Sequence, residues 1–356
     1  SIFYGFTNEN EIFCAFTKKG IWSFGKISHN NVFSKVKLNR EINDVGRSGL
    51  KVSGNQILFS GGSHVEQEAI FLIKGDGDLK NLRSSGDYEF PVNLISVPEP
   101  IVFNTDHDEI AHGFFYPPKN PEFHAPSHEL PPLIVLSHGG PTGSTSTALN
   151  FSMQFWTSRG FAILDVNYRG STGYGSRYRK SLYGKWGISD VQDCINGADF
   201  LSREGRGDKE KLAIRGSSAG GFTTLAVLTF SNKFQVGASY YGISDLEALA
   251  IETHKFESHY MDSLIGKYPE SKKIYHDRSP LVHSKLLSCP IILFQGSDDK
   301  VVPPNQSQRM ANSLEAQGIK VSYTTYEGEG HGFRKPANIE DSLKSELEFY
   351  LDVLPI

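Results

Sequence analysis

Ser218 sits in Gly216-Ser-Ser218-Ala-Gly220, the one Gly-x-Ser-x-Gly pentapeptide in the sequence. A serine hydroxyl attacks an acyl carbonyl when a base takes its proton and a carboxylate fixes that base. Where the nucleophile stands on a strand-to-helix turn, those partners follow it in the order acid, then histidine. Of twelve histidines, His331 is the one beyond the adjacent pair Asp298 and Asp299. Residue types alone do not separate the two aspartates. Taken singly, each piece has a plain structural reading: a glycine turn, a helix-capping acid, a solvated histidine. In the required order, and each at the end of a predicted strand, they point to acyl transfer through a covalent intermediate.

The elements that must position these groups are legible. The apolar run 212–215 reads as a buried strand and the residues from 219 onward as a helix, so Ser218 falls at the bend and the N–H of Ala219 faces any oxyanion formed there. A second donor is expected from Ser137-His-Gly-Gly-Pro141, which follows the predicted strand 133–137. Further strands are expected at 161–167, 236–241, 291–295 and 321–326, and helices near 149–159, 189–202, 306–317 and 340–351. That alternation predicts a mostly parallel sheet with helices on both faces. Residues 101–104 and 109–116 read as a hairpin, 90–100 and 117–132 as proline-rich connectors, and 244–290 as an irregular cap over the site.

Before about residue 87 the pattern changes to short alternating segments, 11–16, 20–27, 49–52, 56–60 and 69–73, which predict antiparallel β structure. The region has room for about two four-stranded blades, and two blades cannot close a ring. It therefore needs a partner surface, from another copy of the chain or from a longer polypeptide. The expected division is a β-rich region over 1–87 and a catalytic region over 88–356.

Composition narrows the function. A net charge of −4 and no long basic run argue against nucleic acid as a partner. No apolar run approaches the roughly 18 residues of a membrane span, and the first residues lack a signal-peptide layout. Three widely spaced cysteines fit a reducing, cytoplasmic compartment. The pairs His107/His112 and His124/His128 have no regular ligand face, so neither a metal nor another cofactor is expected.

Ser137-His-Gly-Gly-Pro141, Asp165-Val-Asn-Tyr-Arg-Gly-Ser-Thr-Gly-Tyr-Gly175, Gly216-Ser-Ser-Ala-Gly-Gly221, Gly296-Ser-Asp-Asp-Lys-Val-Val-Pro303 and Gly328-Glu-Gly-His-Gly-Phe333 together resemble the prolyl oligopeptidase family of serine peptidases. The likeness is to its acylaminoacyl-peptidase branch. Residues 167–175 with 255–266 most resemble a bacterial aminopeptidase subgroup. The resemblance implies an α/β-hydrolase fold, Asp299 as the acid, the Gly140 N–H as second oxyanion donor, and a β-propeller at the N-terminal side that screens substrates by size. Family propellers have more blades than this region can supply, so the sequence looks like part of a longer chain. The position two residues past the acid, often arginine in relatives, is Val301, which speaks against substrate recognition through such an arginine. The expected substrate is a short oligopeptide trimmed from its N-terminus, with Glu257 in the cap as a candidate partner for the free amino group. An esterase or lipase-like hydrolase with the same triad, and an inactive fragment completed by another chain, are the alternatives.

Overall fold

The computed structural model describes residues 2–75, 77–86, 88, 90–252 and 259–356. Among them, the first eight strands form two antiparallel meanders of four. One comprises β1 (Tyr4–Phe6), β2 (Ile12–Lys18), β3 (Ile21–Ile27) and β4 (Phe33–Val36), the other β5 (Asp44–Ser53), β6 (Gln56–Gly62), β7 (Ala69–Lys74) and β8 (Asp78–Ser84). In β7, Ala69, Phe71 and Ile73 are buried while Ile70 faces out, the alternation of a strand with one wet face. Phe13, Phe24, Ile57, Phe59 and Phe71 make one core shared by both meanders, with Phe24 and Phe59 ring centroids 4.9 Å apart. Three of these strands, β1, β4 and β8, went unread in the sequence because most of their side chains are exposed and at most one residue in each is buried.

The rest is built on an eight-stranded sheet: β9 (Glu99–Asn104), β10 (Ile110–Tyr116), β11 (Leu133–Ser137), β12 (Ala162–Asn167), β13 (Leu212–Ser217), β14 (Val236–Tyr240), β15 (Ile291–Gly296) and β16 (Val321–Tyr326). Its order is β16-β15-β14-β13-β11-β12-β10-β9. The predicted hairpin β9–β10 joins it antiparallel, and the strands from β12 to β16 run parallel. Strand β9 starts inside the stretch read as connector, at Glu99.

Nine helices are present among the described residues: α1 (Phe151–Thr157), α2 (Ser176–Lys180), α3 (Ser189–Arg203), α4 (Ala219–Phe230), α5 (Leu246–Glu252), α6 (Tyr260–Leu264), α7 (Lys272–Arg278), α8 (Asn305–Glu315) and α9 (Pro336–Val353). Leu133 and Val135 pack in the core beneath α3 and α4, whereas Ile134 packs with Trp156 of α1 and Tyr350 of α9. Both faces are covered, which is why these strands read as unbroken apolar runs. Asn150 sets the start of α1, its side chain accepting from the N–H groups of Ser152 and Met153 at 2.9 and 3.4 Å. Helix α9 begins earlier than its apolar pattern, because Pro336 is preorganised for the first turn. The expected irregular cap holds three helices of five to seven residues, α5 to α7.

Strand β11 has β12 on one side and β13 on the other, so chain direction across the sheet reverses there. A crevice opens outside the C-terminal ends of strands at such a point. Those ends are Ser137 and Ser217, which places the two glycine motifs side by side. The meanders reach the same neighbourhood: Gly20 N–H donates to the Gly173 carbonyl at 3.4 Å, and Leu149 N–H to the Ser63 carbonyl at 2.8 Å.

Asp165, buried on β12, accepts from the Thr145 hydroxyl. Burial pushes its carboxyl up to about 7, against the lowering effect of Thr145 and Arg215. A raised carboxyl stabilises the fold fully below about pH 4, and that contribution is lost as pH rises through about 7. Asp165→Asn should therefore gain thermal stability relative to the parent between pH 5 and pH 8. Paired melts at the two pH values check this, and a difference that does not change with pH contradicts it.

Candidate active site

Ser218 stands between β13 and α4 with φ 56° and ψ −122°, a conformation that few non-glycine residues adopt. Its N–H donates to the Tyr240 carbonyl at 2.9 Å, which fixes the bend to β14. A Cβ on Gly216 would lie 2.3 Å from the Gly220 carbonyl oxygen, and one on Gly220 would lie 2.0 Å from that of Ser137. No side chain fits at either position. The turn is tight because backbone passes backbone there, and the serine is lifted clear of the sheet.

The Ser218 hydroxyl donates to His331 Nε2 at 2.8 Å, and His331 Nδ1–H donates to Asp299 Oδ2 at 2.8 Å. Asp299 is buried just past β15. Its Oδ1 accepts from the Val301 and Val302 N–H groups at 2.9 and 3.0 Å, and Oδ2 also receives Gln295 Nε2 at 3.3 Å. Asp298 points to solvent, its Oδ1 accepting from the Ser297 hydroxyl at 2.9 Å. The structure thus brings Ser218, His331 and Asp299 together and leaves Asp298 outside.

The loop that carries His331 is held by Glu329, which sequence reasoning passed over. The Glu329 carboxylate accepts from the N–H groups of Arg334 and Lys335, both at 2.9 Å, and from Asn338 Nδ2 at 2.8 Å. Although its burial works the other way, these bonds hold the carboxyl below its ordinary range. The Glu329 carbonyl in turn accepts from Asp298 N–H at 2.9 Å, tying the loops of Asp299 and His331 to each other. A Cβ on Gly296 would lie 2.4 Å from that same carbonyl oxygen, so this glycine allows the approach. The one signal in the sequence was an acid inside a glycine loop, and its partners are two backbone groups and a distant asparagine that no motif displays. Tyr241, with φ 40° and its ring centroid 4.8 Å from that of His331, walls the imidazole on the other side.

Ala219 is the first residue of α4, where an N–H has no acceptor within the helix and the helix dipole is positive. The loop after β11 lies against Ser218: a Cβ on Gly139 would be 3.6 Å from Ser218 Cβ. Gly140 follows with φ 130°. His138 stakes this loop down, Nδ1–H donating to the Gly139 carbonyl at 2.8 Å and Nε2 meeting the Ser171 hydroxyl at 2.7 Å, with the ring stacked on Tyr168. Burial pushes its imidazole down to about 4, so it is neutral at pH 7. Glu257 lies outside the described residues. Of the other histidines weighed, His112 stacks on Tyr174 with centroids 4.3 Å apart, while His124 and His128 are exposed. Among the described residues no group of three or more His, Cys, Asp or Glu side chains could hold a metal.

A parallel sheet crossed by helices on both faces, with a serine on a strained strand-to-helix turn hydrogen-bonded to a histidine from the far end of the chain, defines an α/β-hydrolase. The model of the prolyl oligopeptidase family matches residues 147–355, more than half of the chain, and the chain belongs to that family. Dipeptidyl aminopeptidase BIII of Pseudoxanthomonas mexicana is 32% identical over 213 residues, 58% of this chain and 31% of that protein. Acylamino-acid-releasing enzyme 1 of Oryza sativa subsp. japonica is 29% identical over 232 residues, 62% of this chain and 29% of its own length. The solved structure of a puromycin-hydrolyzing peptidase of Mycobacterium tuberculosis superposes with a TM-score of 0.95 at 38% identity, covering 100% of this chain and 54% of that one. The chain thus spans about a third of these curated relatives and about half of the solved structure.

Proposed function

We propose that this chain carries the hydrolytic unit of a serine peptidase that releases residues from the N-terminus of short peptides. The observation that carries the reading is the unbroken pair of 2.8 Å hydrogen bonds from Ser218 through His331 to Asp299. Ser218 Oγ attacks the scissile carbonyl as His331 Nε2 takes its proton, and the imidazolium that forms is stabilised by Asp299. The oxyanion is received by the N–H groups of Ala219 and Gly140. His331 then gives the proton to the leaving amine, and a water activated by the same imidazole releases the acyl group from Ser218. This chemistry needs no cofactor. Trimming from the N-terminus is supported by relatives named as a dipeptidyl aminopeptidase and an acylamino-acid-releasing enzyme.

In this reading residues 88–356 form the catalytic unit, and residues 1–87 the β-rich region that screens it. The exposed Tyr4, Phe6 and Phe33 on the first meander suit association with further β structure or with another copy. The free Cys14, Cys194 and Cys289 suit a reducing, cytoplasmic setting. Among the described residues no helix is long and apolar enough to cross a membrane.

A fluorophosphonate probe tests the proposal. The chain should take up one equivalent on Ser218 and lose turnover of aminoacyl-nitroanilides in proportion. An unlabelled chain that turns over no substrate overturns it.

A further inference from the structure

A cavity of about 380 Å³ lies between the first meander and the loop that follows β12. Phe3, Phe16 and Trp22 supply aromatic walls, with the Phe3 and Trp22 ring centroids 4.7 Å apart, and Thr172, Ser176 and Arg179 supply the opposite side. Among the described residues the Arg179 guanidinium meets no carboxylate, and the Trp22 indole N–H and Ser176 hydroxyl donate to no acceptor. Helix α2, which carries Arg179, also bears Arg177 and Lys180 and has no acid. An apolar hollow with uncommitted donors and one guanidinium in its lining suits a ligand with one apolar side chain and one negative charge.

The cavity is joined to the site already described. Thr172 N–H donates to the Gly143 carbonyl at 2.7 Å and its hydroxyl to Ser144 Oγ at 3.0 Å, while the neighbouring Ser171 meets His138 at 2.7 Å. One wall of the cavity is therefore braced by the loop that presents Gly140 to Ser218.

We propose that this cavity takes the carboxyl-terminal end of a short peptide, its last side chain against Phe3, Phe16 and Trp22 and its carboxylate on Arg179. The inference rests on the peptidase reading and deepens it. A peptide held by its terminal carboxylate while its scissile bond lies at Ser218 is measured between two fixed points. Length selection then follows from the fold itself. A guanidinium is planar and matches a carboxylate with two parallel hydrogen bonds, which an amide terminus cannot accept in the same way.

The test is equilibrium binding to the full chain carrying Ser218→Ala, so that nothing is hydrolysed during the titration. The probes are Ala-Ala-Ala-Phe as the free acid and as its carboxyl amide. The acid should bind about tenfold more tightly at pH 7, and adding Arg179→Met should bring the two to within about twofold of each other. Arg179→Lys should keep part of the preference, as a point charge without the fork. Equal binding of acid and amide, binding of neither, or a preference that survives Arg179→Met overturns the proposal. Fluorophosphonate labelling of the unmutated chain reports on the peptidase reading separately. A labelled chain without the acid preference refutes the cavity assignment alone, and the acid preference without labelling refutes the hydrolase reading alone.

Discussion

Replacing Ser218 by alanine is expected to lower kcat on an aminoacyl-nitroanilide by roughly a million-fold, and adding His331→Ala to it should lower kcat little further. The two residues act as one unit: without the hydroxyl there is nothing for the imidazole to deprotonate, and without the imidazole the hydroxyl stays protonated. What remains comes from binding and the oxyanion donors. The aspartates give an internal control. Asp299→Asn should cost roughly ten-thousand-fold, because an amide that donates to Nδ1 forces the wrong imidazole tautomer. Asp298→Asn should stay within about twofold, since that side chain faces solvent and touches neither His331 nor Ser218. Single-turnover kinetics on the four variants, with melting temperatures to show that each is folded, decide the matter. A double variant much slower than Ser218→Ala alone, or an Asp298 effect equal to that of Asp299, contradicts the geometry.

Ser218 and His331 were legible because their signals are local or ordinal: a glycine pattern around a serine, and one histidine past an acid. The choice of aspartate was not legible from residue types. It is made by a turn in which the Val301 and Val302 N–H groups converge on Asp299 Oδ1, and nothing in two adjacent aspartates shows which one faces inward. Resemblance to the family supplied that choice where spacing did not. Glu329 stayed hidden for a related reason, its partners being two backbone N–H groups and an asparagine up to nine residues away. The same contrast runs through the fold. The inner strands of the parallel sheet, buried on both faces, announce themselves as apolar runs, whereas β4 exposes three of four side chains and reads as loop. Helices α5 to α7 are too short to display a helical period, so the cap looked irregular.

Glu346→Ala should destabilise the fold by about 3–5 kcal/mol, the cost of stranding a buried charge. Glu346 on α9 is fully buried, and its Oε1 lies 3.1 Å from Arg215 Nε on β13. Its Oε2 accepts from Tyr240 OH at 2.6 Å, and the guanidinium stands 5.0 Å over the Tyr240 ring. Burial works against the charge on Arg215, yet the Glu346 carboxylate and the neighbouring phenols hold its pKa above the ordinary arginine value. The cation therefore stays in place when the anion is removed. Replacing both ends together, Arg215→Met with Glu346→Leu, should return most of the loss, because two apolar side chains avoid the desolvation that the ion pair must offset. Urea midpoints at constant slope measure both effects. A Glu346→Ala cost below about 1 kcal/mol would show that water reaches the pair, and a double variant as unstable as the single would show that the loss is not that of a stranded charge. Arg215 lies three residues before Ser218 on the strand that leads to it, so the pair also bears on the site. Molecules of Glu346→Ala that remain folded should keep kcat near that of the parent, while the active fraction falls at a lower temperature. On that outcome the pair secures the strand that leads to Ser218 and takes no part in the reaction itself.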